Sequence, residues 1–166
     1  MIKKMLIETK KEVDLLDLKN IVESKHKIIG LDLGKKRIGV SISTSDMDGA
    51  LPLRTIKYIS LKNLVEELSL IVKDYNVRAM IIGLPINMDG SEGKSSQSIR
   101  DKSKDISSFF ELPYSFWDER LSTAAVSRFY QAPSKTRQKK INQKKDIDNL
   151  ASAFILEGAL KYIKRN

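Results

Sequence analysis

The stretch KIIGLDLGKKRIGVSIS, residues 27–43, limits the fold more than any other part of the chain. A pleated strand sends consecutive side chains to opposite faces. Ile28, Ile29, Leu31 and Leu33 are apolar on both, so the strand they form is covered on two sides. Asp32 interrupts this run just before Gly34. A buried carboxylate is costly unless it is paired or binds a metal. Two readings stand at this point: a strand-end aspartate that accepts turn hydrogen bonds, or a functional carboxylate.

The elements around it follow from periodicity. KIIGLDLG and RIGVSIST read as two strands joined by the tight turn GKKR, and LPLRTIKYI as a third, giving an antiparallel meander. SLKNLVEELSLIVKDYN is an amphipathic helix with Leu64, Leu68, Ile71 and Val72 on one stripe and Ser60 as N-cap. VRAMIIGLP is a continuous apolar run, as expected of a central parallel strand. A second helix is expected over residues 91–110, a fifth strand in PYSFWDE and a short helix in STAAVSRFY. The last helix is DIDNLASAFILEGALKYIKR, with Ile147, Leu150, Ala151, Phe154, Ile155 and Ala159 toward the core. Three meander strands followed by αβ units call for an α/β fold: a mixed sheet with helices on both faces. Residues 1–25 read as an N-terminal extension, with a helix expected around 11–24, and residues 26–166 as one domain. Pro133 and the dense basic and amide residues of 131–145 read as a mobile loop.

Charge and composition then narrow the function. The chain of 166 residues carries 30 Lys and Arg against 21 Asp and Glu, a formal net charge of +9, which favours a polyanionic partner and nucleic acid first. There is no cysteine, which removes disulfides and thiolate metal sites. No apolar run approaches a membrane span and the N-terminus lacks an apolar signal region, so a cytoplasmic protein with no membrane partner is expected.

Carboxylates recur where elements end. Asp32 closes the first strand, Asp89 follows the fourth, Asp118 and Glu119 close the fifth, and Asp146 and Asp148 open the last helix. Each alone has an ordinary explanation as a cap or a helix-dipole partner. In parallel α/β sheets, however, ligands gather outside the carboxyl ends of the strands. Carboxylates meeting there need neutralisation. Two Mg²⁺ or Mn²⁺ ions roughly 3.5–4 Å apart would provide it, in the arrangement used for in-line phosphodiester cleavage. His26, the one histidine, precedes the first strand and reads as a surface residue rather than a ligand.

Four segments, IGLDLGKKRIGVSIS, IIGLPINMDGSEG, WDERLSTAAV and DIDNLASAFILEGAL, resemble the YqgF or RuvX family of RNase H-like nucleases over about residues 27–160. That family's members are described as nucleases of precursor 16S rRNA and as similar to Holliday-junction resolvases. The resemblance implies an RNase H-like sheet of order 3-2-1-4-5. It also implies a catalytic and metal-binding triad, carried here onto Asp32, Glu119 and Asp148. Asp32 would bridge two ions, Glu119 and Asp148 would complete one each, and the cut would leave 5′-phosphate and 3′-hydroxyl ends. The 25-residue extension lies outside the family pattern, and the basic loop cannot be aligned to it residue by residue.

The nucleic-acid contacts expected on this reading are Asn87 and Arg120, together with Lys135, Arg137, Lys139, Lys140, Lys144 and Lys145 of the basic loop. Arg120 either holds Glu119 or reaches a phosphate. Gly83 and Gly90 would let backbone approach a bound strand. The expected activity is metal-dependent endonucleolytic processing of the 5′ end of precursor 16S rRNA, with the small-subunit precursor as a further partner. Two rivals remain open: a DNA junction resolvase acting on branched DNA, and a ribosome-assembly factor that binds nucleic acid with little hydrolysis. An actin-like ATPase shares GLDLG, but 166 residues leave no room for a second phosphate loop and an adenosine site.

Overall fold

The computed structural model describes residues 11–22, 25–121 and 145–166, the last segment by backbone alone as far as residue 149. The meander is β1 (Lys27–Leu33), β2 (Arg37–Ser43) and β3 (Ala50–Lys57). It is followed by a helix at Leu61–Asp74, β4 (Val77–Leu84), a helix at Lys94–Phe110, β5 (Tyr114–Asp118) and a C-terminal helix at Lys145–Arg165. A four-residue helix, Leu18–Ile21, precedes the sheet. In chain order the helices are α1 (Leu18–Ile21), α2 (Leu61–Asp74), α3 (Lys94–Phe110) and α4 (Lys145–Arg165). The strands form one mixed sheet of order β3-β2-β1-β4-β5. The β1–β2 and β2–β3 pairs are antiparallel, and β1–β4 and β4–β5 are parallel. This is the RNase H-like order expected from the sequence.

The two-sided strands divide the core. Ile29, Leu31 and Leu33 of β1, Ile38, Val40 and Ile42 of β2, and Met80, Ile82 and Leu84 of β4 pack under α2 and α3. On α2, Ser60 accepts a hydrogen bond from the Asn63 N–H at 3.1 Å, and Leu64, Val65, Leu68 and Ile71 are buried. The opposite face of the sheet carries Ile28, Ala79 and Ile81, and α4 covers it. Small residues line that face. A Cβ on Gly30 would lie 2.8 Å from Leu156 Cβ and 3.0 Å from the Ser152 carbonyl oxygen, so glycine sets how closely α4 docks. Ser41 and Ser43 are fully buried beside it, and Ser43 Oγ accepts the Ile28 N–H at 2.9 Å.

The buried residues of α4 are Ser152, Ala153, Ile155, Leu156, Ala159, Leu160 and Ile163. Ile155 and Ala159 of the expected stripe are buried, whereas Leu150, Ala151 and Phe154 are only half-buried, and the side chain of Ile147 lies outside the described residues. Tyr162 and Lys161 face solvent, and the i, i+4 pair Lys161–Glu157 lies on the outer side.

The expected helix over 11–24 is replaced by three short pieces. Residues 11–13 lie along the edge of β5: the Val13 N–H donates to the Tyr114 carbonyl at 2.9 Å and the Tyr114 N–H to the Lys11 carbonyl at 2.7 Å. A single 3₁₀ turn, Leu15–Asp17, leads into α1. The chain cannot be helical from residue 11 because its first backbone groups pair with the sheet edge, which otherwise would leave unpaired donors and acceptors exposed. Val13 and Leu18 complete the cluster beneath α4. The extension thus supplies core.

Leu18 is 0% exposed and Leu16 40% exposed. Leu18→Ala should lower unfolding free energy in urea by about 2–5 kcal/mol, and Leu16→Ala by under about 0.5 kcal/mol.

Candidate active site

Side chains two apart on a strand share a face. Ile28 and Gly30 face α4, and so does Asp32, at the carboxyl end of β1 opposite Gly39 of β2. β4 and β5 run parallel to β1, so their carboxyl ends open at the same edge. Glu119 follows β5 directly, and its N–H donates to the Leu84 carbonyl at 3.1 Å, which ties the turn to the end of β4.

The Glu119 side chain then lies back across β4. An ideal Cβ on Gly83 would stand 2.6 Å from Glu119 Oε1 and 2.5 Å from Ile155 Cδ1. Gly83 therefore makes room for a carboxylate of the protein itself; the approach expected of a bound strand is here made from within. Glu119 is pushed up to about 7, first by burial, then by the negative charges of Asp32 and Asp118. Asp32 and Glu119 are thus near enough for the charge of one to act on the other. Residue 148 belongs to the first turn of α4, and the side chains of Asp146 and Asp148 lie outside the described residues. Among the described residues, no group of three or more His, Asp and Glu side chains is gathered to hold a metal.

Arg120 pairs with Asp118, a partner that neither of its two expected roles included. Its Nε donates to both oxygens of Asp118 at 3.0 Å and its Nη2 to Oδ2 at 2.6 Å, while Nη1 reaches the Asn87 carbonyl at 3.3 Å. Those bonds hold the Asp118 carboxyl below the usual range. The Asp-x-Arg spacing was the available signal, since side chains two apart at a strand end can close a local fork-to-carboxylate pair.

Asn87 is used inside its own loop. Its Nδ2 donates to Ser91 Oγ at 3.0 Å and its N–H to the Ser91 carbonyl at 2.9 Å. Asp89 accepts the Ser91 N–H at 2.9 Å and the Ser91 hydroxyl at 2.6 Å, which lowers its carboxyl below the usual range. Lys35 and Lys36, exposed in the β1–β2 turn, stand at the same edge of the sheet as Asp32 and add positive charge there. His26 stands just before β1, at the far end of the strand from Asp32. The short helix expected over 122–130 and the basic residues Lys135, Arg137, Lys139, Lys140 and Lys144 lie outside the described residues, as does the side chain of Lys145.

Two carboxylates at the carboxyl edge of an RNase H-like sheet, one raised first by burial and then by the charge of the other, offer hard oxygens of the kind that Mg²⁺ or Mn²⁺ takes. The chain belongs to the RuvX family, whose model is described as Holliday junction resolvase and matches residues 26–162. A curated relative from Pelagibacter ubique, named "Putative pre-16S rRNA nuclease", is 41% identical over 151 residues, 91% of this chain and 98% of its own. One of the same name from Beijerinckia indica is 40% identical, over 90% of this chain and 89% of its own. The Pelagibacter alignment is longer than the stretch from His26 to the C-terminus, so part of the extension is shared with that relative. Among solved structures, Thermus thermophilus RuvC in complex with a Holliday junction substrate superposes with a TM-score of 0.54 at 10% identity, over 82% of this chain and 94% of that one. The yeast mitochondrial Holliday junction resolvase Ydc2 gives 0.52 at 12% identity, over 98% and 86%. At such identities the likeness is one of fold. By family the chain is a phosphodiester-cleaving hydrolase.

The raised Glu119 carboxyl makes stability fall with pH. The folded protein keeps this proton to about pH 7, whereas the ordinary value is 4.5. The contribution is therefore greatest below about 4.5 and is lost as pH rises to about 7. In EDTA, Glu119→Gln should remove that loss and raise the melting temperature at pH 8 by about 2–6 °C, allowing for solvent screening of a partly exposed group. At pH 4 the two proteins should melt together within a degree or so.

Proposed function

We propose that the protein is a divalent-metal-dependent endonuclease that cuts one phosphodiester bond in structured RNA, processing the 5′ end of precursor 16S rRNA in the cytoplasm. The observation that carries this is the Glu119 carboxylate lying over Gly83 toward Asp32. Asp32, Glu119 and Asp148 would hold the cations. The register of α4 supports the third member. Ser152 sits against Gly30, and residue 148 is one helical turn earlier, while Asp32 is two strand residues further along β1. Those displacements are about 6 Å and about 6.6 Å, so the two positions stand level.

The chemistry supplied by a bound pair of Mg²⁺ or Mn²⁺ ions is activation of the attacking water and stabilisation of the departing 3′ oxygen. The chain's own part is orientation and charge. Asp32 is fixed on a central strand between β2 and β4. Glu119 is held by its N–H on Leu84 and by the Gly83 gap, and a bound cation would return its carboxyl to the ionised form. Lys35 and Lys36 with the basic stretch 131–145 would offset the repulsion between the carboxylates and a phosphate backbone. Asn87 and Arg120 would serve the same strand by shaping the loop beside it. The relatives' name favours precursor 16S rRNA, and the small-subunit precursor would be a further partner. A second reading, cleavage of a four-way DNA junction, is favoured by the family description and the RuvC fold.

The deciding experiment offers precursor 16S RNA and a four-way DNA junction to the purified protein, with Mn²⁺ and with EDTA. Cleavage of the RNA near the mature 5′ end, lost in EDTA, is expected. Preferential cutting of the junction would transfer the assignment to DNA. Asp32→Asn should abolish cleavage with the fold intact, and wild-type rates from that variant in Mg²⁺ would overturn the site.

Replacing Lys139, Lys140, Lys144 and Lys145 with Ala should weaken binding and flatten its salt dependence by about two units, at about 0.7 per phosphate contact on a single strand. Cleavage at saturating substrate should be largely kept.

A further inference from the structure

We infer that Met88 is an apolar contact for an unpaired nucleobase next to the bond that is cut, a specificity-determining residue for the activity proposed above, on which this inference rests. Met88 is 91% exposed, the most exposed large apolar side chain among the described residues. It stands on the loop between β4 and α3, at the edge of the sheet where Asp32 and Glu119 meet. Leu121, 60% exposed, stands beside Arg120 at the exit of β5. The Arg120 guanidinium reaches the carbonyl of Asn87, the residue before Met88, so the two exits are tied together.

The loop is tightly cross-linked. The Asn87 N–H donates to the Ser91 carbonyl and the Gly90 N–H to the Asn87 carbonyl, both at 2.9 Å. Asp89 and Ser91 close a second set of bonds within it. Ser96 Oγ donates to the Pro85 carbonyl, anchoring α3 to the end of β4. A side chain held out on such a loop buries no apolar surface and contributes nothing to folding. The loop's amide hydrogens at residues 87, 90 and 91 are already used within it, and Met88 is its exposed large apolar side chain.

The partner follows from position and chemistry. Around carboxylates at the mouth of a strongly basic protein, the expected occupant is a nucleic-acid strand. Its apolar surface is the base face, and a stacked duplex offers that face to nothing. Methionine and leucine serve as wedges at unstacked base steps in other nucleic-acid complexes, and sulfur contacts aromatic rings favourably. Met88 therefore fits an unpaired or unstacked base and gains nothing from a continuous helix.

The test uses the full chain and the variants Met88→Gln, of similar length but polar, and Met88→Leu, which keeps the apolar contact. Binding is measured in Ca²⁺ to RNA hairpins and four-way DNA junctions carrying 2-aminopurine at each unpaired or junction position in turn, beside a continuous duplex. Wild type and Met88→Leu should change the fluorescence at one position. Met88→Gln should lose that signal and bind the looped or branched substrate about three- to tenfold more weakly, with duplex affinity unchanged. Equal affinity and signal for Met88→Gln and wild type, or an equal loss on the duplex, would overturn the inference. Because binding is read without turnover, absence of cleavage in Mn²⁺ would remove the nuclease reading alone.

Discussion

The docking of α4 onto a floor of small residues is the contact on which the site depends. Gly30, Ser41 and Ser43 let the helix backbone descend onto β1 and β2, and any side chain at Gly30 would meet Leu156 and the Ser152 carbonyl. Interiors are close-packed, so one methyl group there must lift the helix. The same face carries Asp32 at its upper end, which means that helix height and carboxylate spacing are set together. Hydrophobic closure below by Leu160 and Ile163 and polar function above share one rigid element.

At the upper end the balance is electrostatic. Glu119 lies half-buried against Ile155 and Gly83 and carries a raised pKa beside Asp32, a cost that packing elsewhere must offset. Asp118, one residue earlier, has the opposite condition because Arg120 pairs with it. Two adjacent carboxylates are thus separated in role by environment: one is neutralised by a fixed guanidinium and braces two loops, and the other is left responsive to a proton or a cation.

The N-terminal segment belongs to the same construction. Glu12 accepts from Arg100 at 3.2 Å, and Arg100 grips Glu92 with two bonds of 2.7 Å while stacking on Phe116. The edge of β5, the start of α3 and the residues before the sheet are therefore joined at one guanidinium. Covering that edge removes a row of unpaired backbone groups from solvent.

Strand identity was legible because it rests on local pattern: the double-sided apolar runs of β1 and β4, the tight GKKR turn, and Ser60 at the start of α2 all act over a few residues. The sheet order and the pairing of Asp32 with Glu119 were legible only through family resemblance, since nothing within either segment encodes the other's position. Periodicity placed the core stripe of α4 wrongly at Phe154, because several overlapping apolar stripes run along that helix and only the shape of the facing sheet chooses among them. The partners of residues 11–13 and the space that Gly83 leaves for Glu119 were decided by tertiary structure. Each depends on distances between segments far apart in the chain, which local sequence does not carry.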